Sequence, residues 1–211
     1  MAPTAPYTPP PMERPLVSDA AVLIPVKAFR VAKLRLAPAL DGPARHRLAR
    51  DMATAVVQAS APLPVTVVCD DDEVAAWARQ LGAEVLWAPG LGLDAAVTEG
   101  VAHLASGGVG RVVVAHGDLP MARGLAPLAG GHDGVTLVPD RRDDGTNVAV
   151  VPAASGFGFA YGMGSFARHG AEADRLGLAL RVLRPPELTW DVDLPADLAY
   201  RSDLASMPSC G

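Results

Sequence analysis

The chain has 211 residues, of which 50% are hydrophobic and 19% are charged, with a formal net charge of -5. This length fits one domain of ordinary size, and the hydrophobic content excludes a disordered chain. The negative net charge provides no general attraction for a phosphate polymer, so we expect no nucleic-acid partner. Two cysteines, Cys69 and Cys210, cannot form a disulfide framework or a zinc site alone, which favours a reducing compartment.

The start of the chain is rich in proline and contains no apolar stretch as long as a signal peptide or a membrane span. We therefore predict a disordered tail over residues 1–18, one globular domain over 19–205 and a short tail over 206–211. Since no export or membrane-anchoring signal is found, the expected location is the cytoplasm and no membrane partner is expected.

Apolar runs alternate with segments of helical periodicity along most of the chain. Strands are predicted at 20–26, 65–69, 84–87 and 111–115, and helices at 43–60, 71–81 and 94–105. Later elements are shorter, with strands near 134–139, 148–152 and 181–184 and a helix near 165–176. This alternation is typical of βαβ units, so we predict an α/β fold with a mostly parallel sheet flanked by helices.

The loop after the first strand carries a cluster of cations, Lys27, Arg30, Lys33 and Arg35, with no acidic neighbour. In open α/β sheets, ligands bind at the carboxyl ends of the strands. Because the glycines of a phosphate-binding loop are missing here, a triphosphate would be held by side-chain cations more than by backbone amides. Ordinary solvated surface cations are the alternative.

Three aspartates occupy positions suited to a divalent metal. Asp118 directly follows an uncharged strand, and Asp191 and Asp193 stand two residues apart, where an extended segment would project both side chains to one side. Such like charges repel unless a cation separates them. Magnesium prefers hard oxygen ligands and binds few protein carboxylates, so we predict a magnesium site formed by Asp118, Asp191 and Asp193.

Helix capping is the alternative explanation for two of these carboxylates. Asp118 would then cap a short helix opened by Pro120, and Asp193 would be the N-cap of a helix opened by Pro195. Neither residue would need a metal in that case.

Two later segments could bind an anion. The polar turn 140–147 offers backbone amides and the Thr146 hydroxyl, although an ordinary hairpin loop uses the same residue types. The glycine loop 162–164 runs into a predicted helix with Ser165 at or near its N-cap, where free amides and the helix dipole suit a phosphate. A plain capping serine is the alternative.

Two further features border these segments. Arg168 and His169 are expected to be exposed on the first turns of the same helix, with a role as further ligands as the alternative. The loop 89–94, which also precedes a helix, is placed for a nucleotide ribose or base, or is only a helix cap.

Taken together, these segments resemble the family of 2-phospho-L-lactate and phosphoenolpyruvate guanylyltransferases, which make a precursor of coenzyme F-420. The similarity runs from about Val22 to Leu198. Its carriers are the short segments 26–38, 117–120, 140–146, 162–165 and 191–193, in that order. The resemblance implies a single-domain Rossmann-like nucleotidyltransferase fold of the glycosyltransferase-A type, with GTP as donor and magnesium as cofactor.

The resemblance also implies roles for individual residues. By matching position, it assigns the magnesium ligands Asp118, Asp191 and Asp193, the acceptor-phosphate ligands Thr146, Gly162 and Ser165, and the catalytic cations Lys27, Lys33 and Arg35 that meet the GTP phosphates. Asp94 departs from the family, which usually has asparagine in this nucleotide loop. An ionised carboxylate could still accept the amino and imino protons of guanine.

The implied reaction is an in-line attack of an acceptor phosphate oxygen on the α-phosphorus of GTP, which expels pyrophosphate. Rival interpretations are a molybdenum-cofactor or sugar-phosphate nucleotidyltransferase, disfavoured by the glycine-free segment 25–29, and a non-catalytic nucleotide-binding module, disfavoured by three carboxylates near a polyanion. Phosphoenolpyruvate, 2-phospholactate and 3-phosphoglycerate share the groups that the site would hold, so the sequence leaves all three open as acceptors. It also leaves the oligomeric state open and allows a homodimer.

Overall fold

The computed structural model describes residues 19–199, so the predicted tails 1–18 and 206–211, with Cys210, lie outside the described residues. The strands are β1 (Ala20–Pro25), β2 (Val65–Cys69), β3 (Glu84–Trp87), β4 (Arg111–Ala115), β5 (Val135–Pro139), β6 (Thr146–Pro152) and β7 (Leu180–Val182). The α-helices are α1 (Gly42–Ala59), α2 (Asp72–Gln80), α3 (Leu93–Ser106), α4 (Ser165–Arg175) and the short α5 (Pro186–Thr189). Short 3-10 helices cover Phe29–Val31, Leu34–Leu36, Ala126–Ala129 and Pro195–Ala199.

The strands form one seven-stranded sheet in the order β3-β2-β1-β4-β6-β5-β7. Strand β1 pairs in parallel with β2 and β4, β2 pairs in parallel with β3, and β5 pairs in parallel with β7. Strand β6 is antiparallel to both of its neighbours, β4 and β5. Within residues 19–199, β6 is thus the one strand that runs against the others, and the predicted α/β fold with a mostly parallel sheet is confirmed.

The centre of the sheet is covered on both faces. In β1, Val22 and Ile24 pack into an apolar cluster that includes residues of α1 and α2, whereas Leu23 belongs to a second cluster with residues of α3. All three side chains are fully buried. This explains why the central strands are continuous apolar runs rather than alternating ones.

The predicted helices and strands are all present, with small shifts at their ends. Helix α1 begins one residue before the predicted start, at the predicted cap, because the Asp41 carboxylate accepts a hydrogen bond of 2.8 Å from the Ala44 amide and a proline occupies the first turn. Strand β6 begins two residues earlier than predicted, since Thr146 still pairs with Pro139 of β5. Between residues 19 and 199, no helix combines the length and the apolarity that crossing a bilayer requires.

We expect Gly134→Ala to destabilise the fold, because a Cβ at this position would lie 2.0 Å from the Ala179 carbonyl oxygen. That carbonyl accepts the 2.8 Å hydrogen bond from Val135 that aligns β5 with β7. The expected loss of unfolding free energy is about 1–3 kcal/mol, measured by chemical denaturation. Gly130→Ala is the matched control, since its Cβ would meet its nearest neighbour at 3.9 Å. Equal stability of the two variants would contradict the steric argument.

Candidate active site

A cavity of about 730 Å³ opens at the carboxyl ends of β1 and β4. Its walls come from the loop after β1, the end of β4, the start of β6, the glycine loop before α4 and the segment 191–193. Nine residues singled out from the sequence line it: Lys27, Lys33, Arg35, Asp118, Thr146, Gly162, Ser165, Asp191 and Asp193. The fold thus brings five separate segments of the chain to one place.

The Lys33 ammonium lies between two of the aspartates. Its Nζ donates to Asp118 Oδ2 at 2.6 Å and to Asp193 Oδ1 at 2.9 Å. Burial opposes the charge of Lys33, but Asp118 and Asp193 outweigh it and raise its pKa above the usual value. Burial likewise opposes the charge of Asp118, yet the adjacent Lys33 holds the pKa of that carboxyl below its ordinary range. Lys33 and Asp118 are therefore both charged at neutral pH.

Asp191 approaches the same centre from the far end of the chain. The Val192 amide donates to the Asp118 carbonyl at 3.2 Å, and the Val192 side chain packs into an apolar cluster beneath α1. Asp191 and Asp193 both line the cavity, as expected for alternate residues of an extended segment. Burial and the nearby charge of Asp118 raise the pKa of Asp191 to about 6.

The chemistry of these three carboxylates suits a hard divalent cation. Oδ1 of Asp118 and Oδ1 of Asp191 are buried without a hydrogen-bond partner among residues 19–199, and unsatisfied anionic oxygens of this kind suit magnesium. The same part of the chain contains no group of three or more acidic, histidine or cysteine side chains already arranged around one point. The Lys33 ammonium lies between Asp118 and Asp193 and bonds both, so the three carboxylates do not surround one point. The magnesium site stays a prediction.

Helix capping does not account for the aspartates. No helix begins at Pro120, where a turn at residues 120–121 is followed by irregular chain up to the 3-10 helix at Ala126. A 3-10 helix does begin at Pro195, but the Asp193 carboxylate is bonded to Lys33. The capping carboxylate there is that of Asp197, which accepts from the Asp193 amide at 2.9 Å and from the Leu194 amide at 2.7 Å.

Asp197 anchors residues 191–193, the acidic segment, and was not singled out from the sequence. It is fully buried and also accepts hydrogen bonds from the guanidinium groups of Arg141 and Arg142. The Arg141 guanidinium stacks 4.4 Å from the ring centroid of Trp190. Burial opposes the charge of Asp197, but Arg141 and the backbone amides hold its pKa well below the usual range. The role of Asp197 could have been inferred from the sequence, because it stands four residues after Asp193 and in the first turn of a helix that a proline opens.

The polar turn after β5 is tied to the start of α4. The Asp144 carboxylate accepts from the Gly164 amide at 3.0 Å, and the Asp144 carbonyl accepts from the Phe166 amide at 3.0 Å. Gly164, with a φ of 70°, is the N-cap, and Ser165 is the first helical residue. The alternative that Ser165 is a plain capping serine is therefore wrong, because its buried Oγ accepts from the Thr146 amide at 3.0 Å.

The expectation that Arg168 and His169 are both exposed is wrong for His169. Arg168 is exposed, and its guanidinium donates to backbone carbonyls of the glycine loop, including that of Met163. His169 is fully buried, with Nδ1 2.9 Å from Thr146 Oγ1 and Nε2 3.0 Å from the Ala160 amide. Its spacing of four residues from Ser165 places both on the buried face of α4, a pattern that was readable from the sequence.

The remaining candidate residues lie nearer the surface. Lys27 and Arg35 are exposed at the cavity, and Arg35 is 3.9 Å from Asp193 Oδ2. Asp94 lies in the first turn of α3, where its carboxylate accepts from the Tyr161 amide at 2.9 Å. Among the described residues, the cavity is lined by its neighbour Leu93 and not by Asp94, so a nucleotide contact by Asp94 stays a prediction.

Comparison with known proteins gives a consistent result. A family model described as "Guanylyl transferase CofC like" matches residues 20–200. A phosphoenolpyruvate guanylyltransferase of Sphaerobacter thermophilus is 36% identical over 83% of this chain and 89% of its own length. One from Rubrobacter xylanophilus is 35% identical over 84% of this chain and 90% of its own, and one from Mycobacterium leprae is 32% identical over 86% and 88%.

Solved structures share the fold at lower identity. A Desulfovibrio desulfuricans protein described as a nucleotide-diphospho-sugar transferase superposes with a TM-score of 0.75 at 19% identity, covering 91% of this chain and 90% of that one. A nucleotidyl transferase from Methanothermobacter superposes with a TM-score of 0.61 at 15% identity, covering 89% and 99%. These similarities confirm the nucleotidyltransferase-like fold.

We expect Asp197→Asn to destabilise the protein by about 2–4 kcal/mol at pH 7, because it leaves two guanidinium groups without their buried anion. The folded pKa of Asp197 is depressed, so its stabilisation is complete above the unfolded value of about 4 and is lost as the pH falls below it. Chemical denaturation of both proteins at several pH values should show the difference narrowing below about pH 4. Asp51→Asn, at an exposed position on α1, is the control. A difference independent of pH would contradict the ion-pair role.

Proposed function

Because the chain belongs to the family of CofC-like guanylyl transferases, we propose that it transfers GMP from GTP to phosphoenolpyruvate, or to the related 2-phospho-L-lactate, and releases pyrophosphate. This reaction would supply a precursor of coenzyme F-420. The observation that carries the proposal is the single cavity in which a basic loop, three carboxylates and the hydroxyls of Thr146 and Ser165 meet. These are the groups needed to hold two phosphorylated substrates side by side.

In the proposed reaction, an oxygen of the acceptor phosphate attacks the α-phosphorus of GTP. A new phosphorus–oxygen bond forms, and the bond between the α-phosphorus and the bridging oxygen to the β-phosphorus breaks, so that pyrophosphate leaves with the electron pair. The nucleophile is already anionic and needs no general base. The main requirement is to bring two polyanions together and to stabilise the charge around phosphorus.

The cations of the loop after β1 meet the first part of this requirement. Lys27 and Arg35, which are exposed at the cavity, are placed to bind the triphosphate as it enters. Lys33 is held inside by its ion pairs with Asp118 and Asp193. It therefore offers a fixed positive charge beside the reacting phosphates at little further cost in side-chain entropy.

The carboxylates would meet the second part by holding magnesium. Asp118, Asp191 and Asp193 would bind the ion, and the two buried, unpartnered oxygens of Asp118 and Asp191 support this assignment. When bound, magnesium would supply positive charge that neutralises the phosphates of donor and acceptor. The Asp197 anchor would keep Asp191 and Asp193 in place against the repulsion of their own charges.

The decisive experiment supplies the purified chain with GTP, magnesium and one acid at a time: phosphoenolpyruvate, 2-phospholactate or 3-phosphoglycerate. Pyrophosphate release and the mass of the guanylylated product are measured. We expect product with phosphoenolpyruvate, the acid named in several relatives. No pyrophosphate with any of the three acids would refute the proposal and favour a non-catalytic nucleotide-binding module.

We expect Asp118→Asn to lower turnover by at least about 100-fold, because it removes a central negative charge from the proposed metal site while keeping the size of the side chain. The rate is measured by pyrophosphate release over a range of magnesium concentrations. Asp174→Asn, at an exposed position on α4, is the control and should retain the wild-type rate. A folded Asp118→Asn protein with near wild-type turnover at saturating magnesium would exclude the metal assignment.

A further inference from the structure

A buried chain of hydrogen bonds runs from Ala160, just before the glycine loop, to Thr146 and Ser165 at the cavity. The Ala160 amide lies 3.0 Å from His169 Nε2, and His169 Nδ1 lies 2.9 Å from Thr146 Oγ1. The Thr146 amide in turn donates to Ser165 Oγ at 3.0 Å. His169, Thr146 and Ser165 are each no more than 3% exposed, so water does not compete for these bonds.

The backbone donor fixes the direction of the chain. An amide can only donate, so His169 Nε2 must accept from Ala160 and carries no proton. The remaining ring proton of neutral histidine then resides on Nδ1 and is donated to Thr146 Oγ1. Burial lowers the pKa of His169 to about 4, which agrees with a neutral ring at physiological pH.

This direction determines what the two hydroxyl groups can offer to a ligand. Thr146 Oγ1 accepts a hydrogen bond from His169, and Ser165 Oγ accepts one from the Thr146 amide. Each hydroxyl has one proton of its own to donate, and both residues line the cavity. A phosphate oxygen, which can only accept, is the matching partner for both hydroxyl groups.

We propose that His169 is a positioning residue that sets the Thr146 hydroxyl as a hydrogen-bond donor to the phosphate of the acceptor substrate. The inference rests on the proposed transferase function and assigns His169 to acceptor binding rather than to the nucleotide. His169 does not touch the substrate. It acts by occupying one of the two lone pairs of the Thr146 hydroxyl, which leaves the threonine proton to point to the ligand.

Packing alone is the competing explanation for a buried histidine. The ring lies among the aromatic side chains of Phe157, Phe159 and Tyr161, with centroid distances of 5.8, 6.1 and 5.0 Å. If the ring only filled space there, removing its Nδ1 proton would not raise the KM for the acceptor more than the KM for GTP. The test must therefore separate the effect of losing the hydrogen bond to Thr146 from the effect of losing side-chain volume.

Two amide variants make this separation. In His169→Asn the amide nitrogen falls near the position of Nδ1 and keeps a donor to Thr146. In His169→Gln the amide reaches the position of Nε2, where its oxygen accepts from the Ala160 amide, but no donor remains for Thr146. Both variants reduce the aromatic packing, so packing loss is common to the pair.

We expect His169→Gln to raise the KM for the acceptor about 10–100-fold, the range of one hydrogen bond to a charged group, with the KM for GTP changed less than about threefold. His169→Asn should retain an acceptor KM much closer to that of the wild type. Equal effects of the two variants, or an equal rise in the KM for GTP, would overturn the inference.

A double-mutant comparison tests the route through threonine. Thr146→Val removes the hydroxyl and Thr146→Ser keeps it, so the valine variant should lose acceptor affinity and the serine variant should not. In the Thr146→Val background, His169→Gln should weaken acceptor binding no further. Additive losses would mean that His169 does not act through Thr146.

Direct binding keeps this inference separate from the proposed function. Calorimetric titration with phosphoenolpyruvate and with inorganic phosphate, in the absence of turnover, should show about 10–100-fold weaker binding to His169→Gln than to His169→Asn. If the wild-type chain makes product but the two variants bind alike, the role of His169 is wrong and the transferase stands. If the binding difference is present but no acid yields pyrophosphate, the phosphate site stands and the transferase fails.

Discussion

The repulsion between carboxylates at one point of the molecule is the constraint on which the arrangement of the site depends. Asp118 and Asp193 are 85 and 160 positions away from Lys33 in the chain, yet a single ammonium bonds both. Lys33 takes a left-handed backbone conformation, with a φ of 56°, which costs a non-glycine residue about 1–2 kcal/mol. The two ion pairs offset this cost, since without them the carboxylates would face each other unscreened. The loop after β1 therefore has a structural role as well as a chemical one.

The acidic segment is held in place by a second set of charged side chains. Asp197 fixes the amides of Asp193 and Leu194 and is itself bonded to Arg141 and Arg142 from the turn after β5. The arginines of that turn thus serve the architecture of the carboxylates rather than facing an incoming anion. The cations that line the cavity, Lys27, Lys33 and Arg35, are thus distinct from the two arginines that support its wall.

Much of the fold could be predicted from the sequence because the central strands are short apolar runs between clear helix signals. Strands β2, β3 and β4 occur at the predicted residues. For β2 and β4 the reason is clear, because buried runs of β-branched residues allow few alternatives. The antiparallel direction of β6 could not be predicted, since the apolar pattern of a buried strand is the same for both strand directions. The site residues could be grouped because they follow strands, whereas Asp197 and His169 act through partners that are close only in the folded chain.

The reversal of β6 brings chemically different groups to one cavity. Strands β1 and β4 deliver the basic loop and Asp118 at their carboxyl ends, while β6, being antiparallel, brings its amino-terminal end to the same edge. The His116 amide, just beyond β4, donates to the Asn147 carbonyl at 3.0 Å, so Thr146 lies beside the end of β4. The loop after β1 and the end of β4 therefore present charged groups, and the reversed strand presents the neutral hydroxyl of Thr146. The proposed reaction of a polyanionic nucleotide with a smaller phosphoacid would use this division, because a second cluster of cations would bind either substrate at either place.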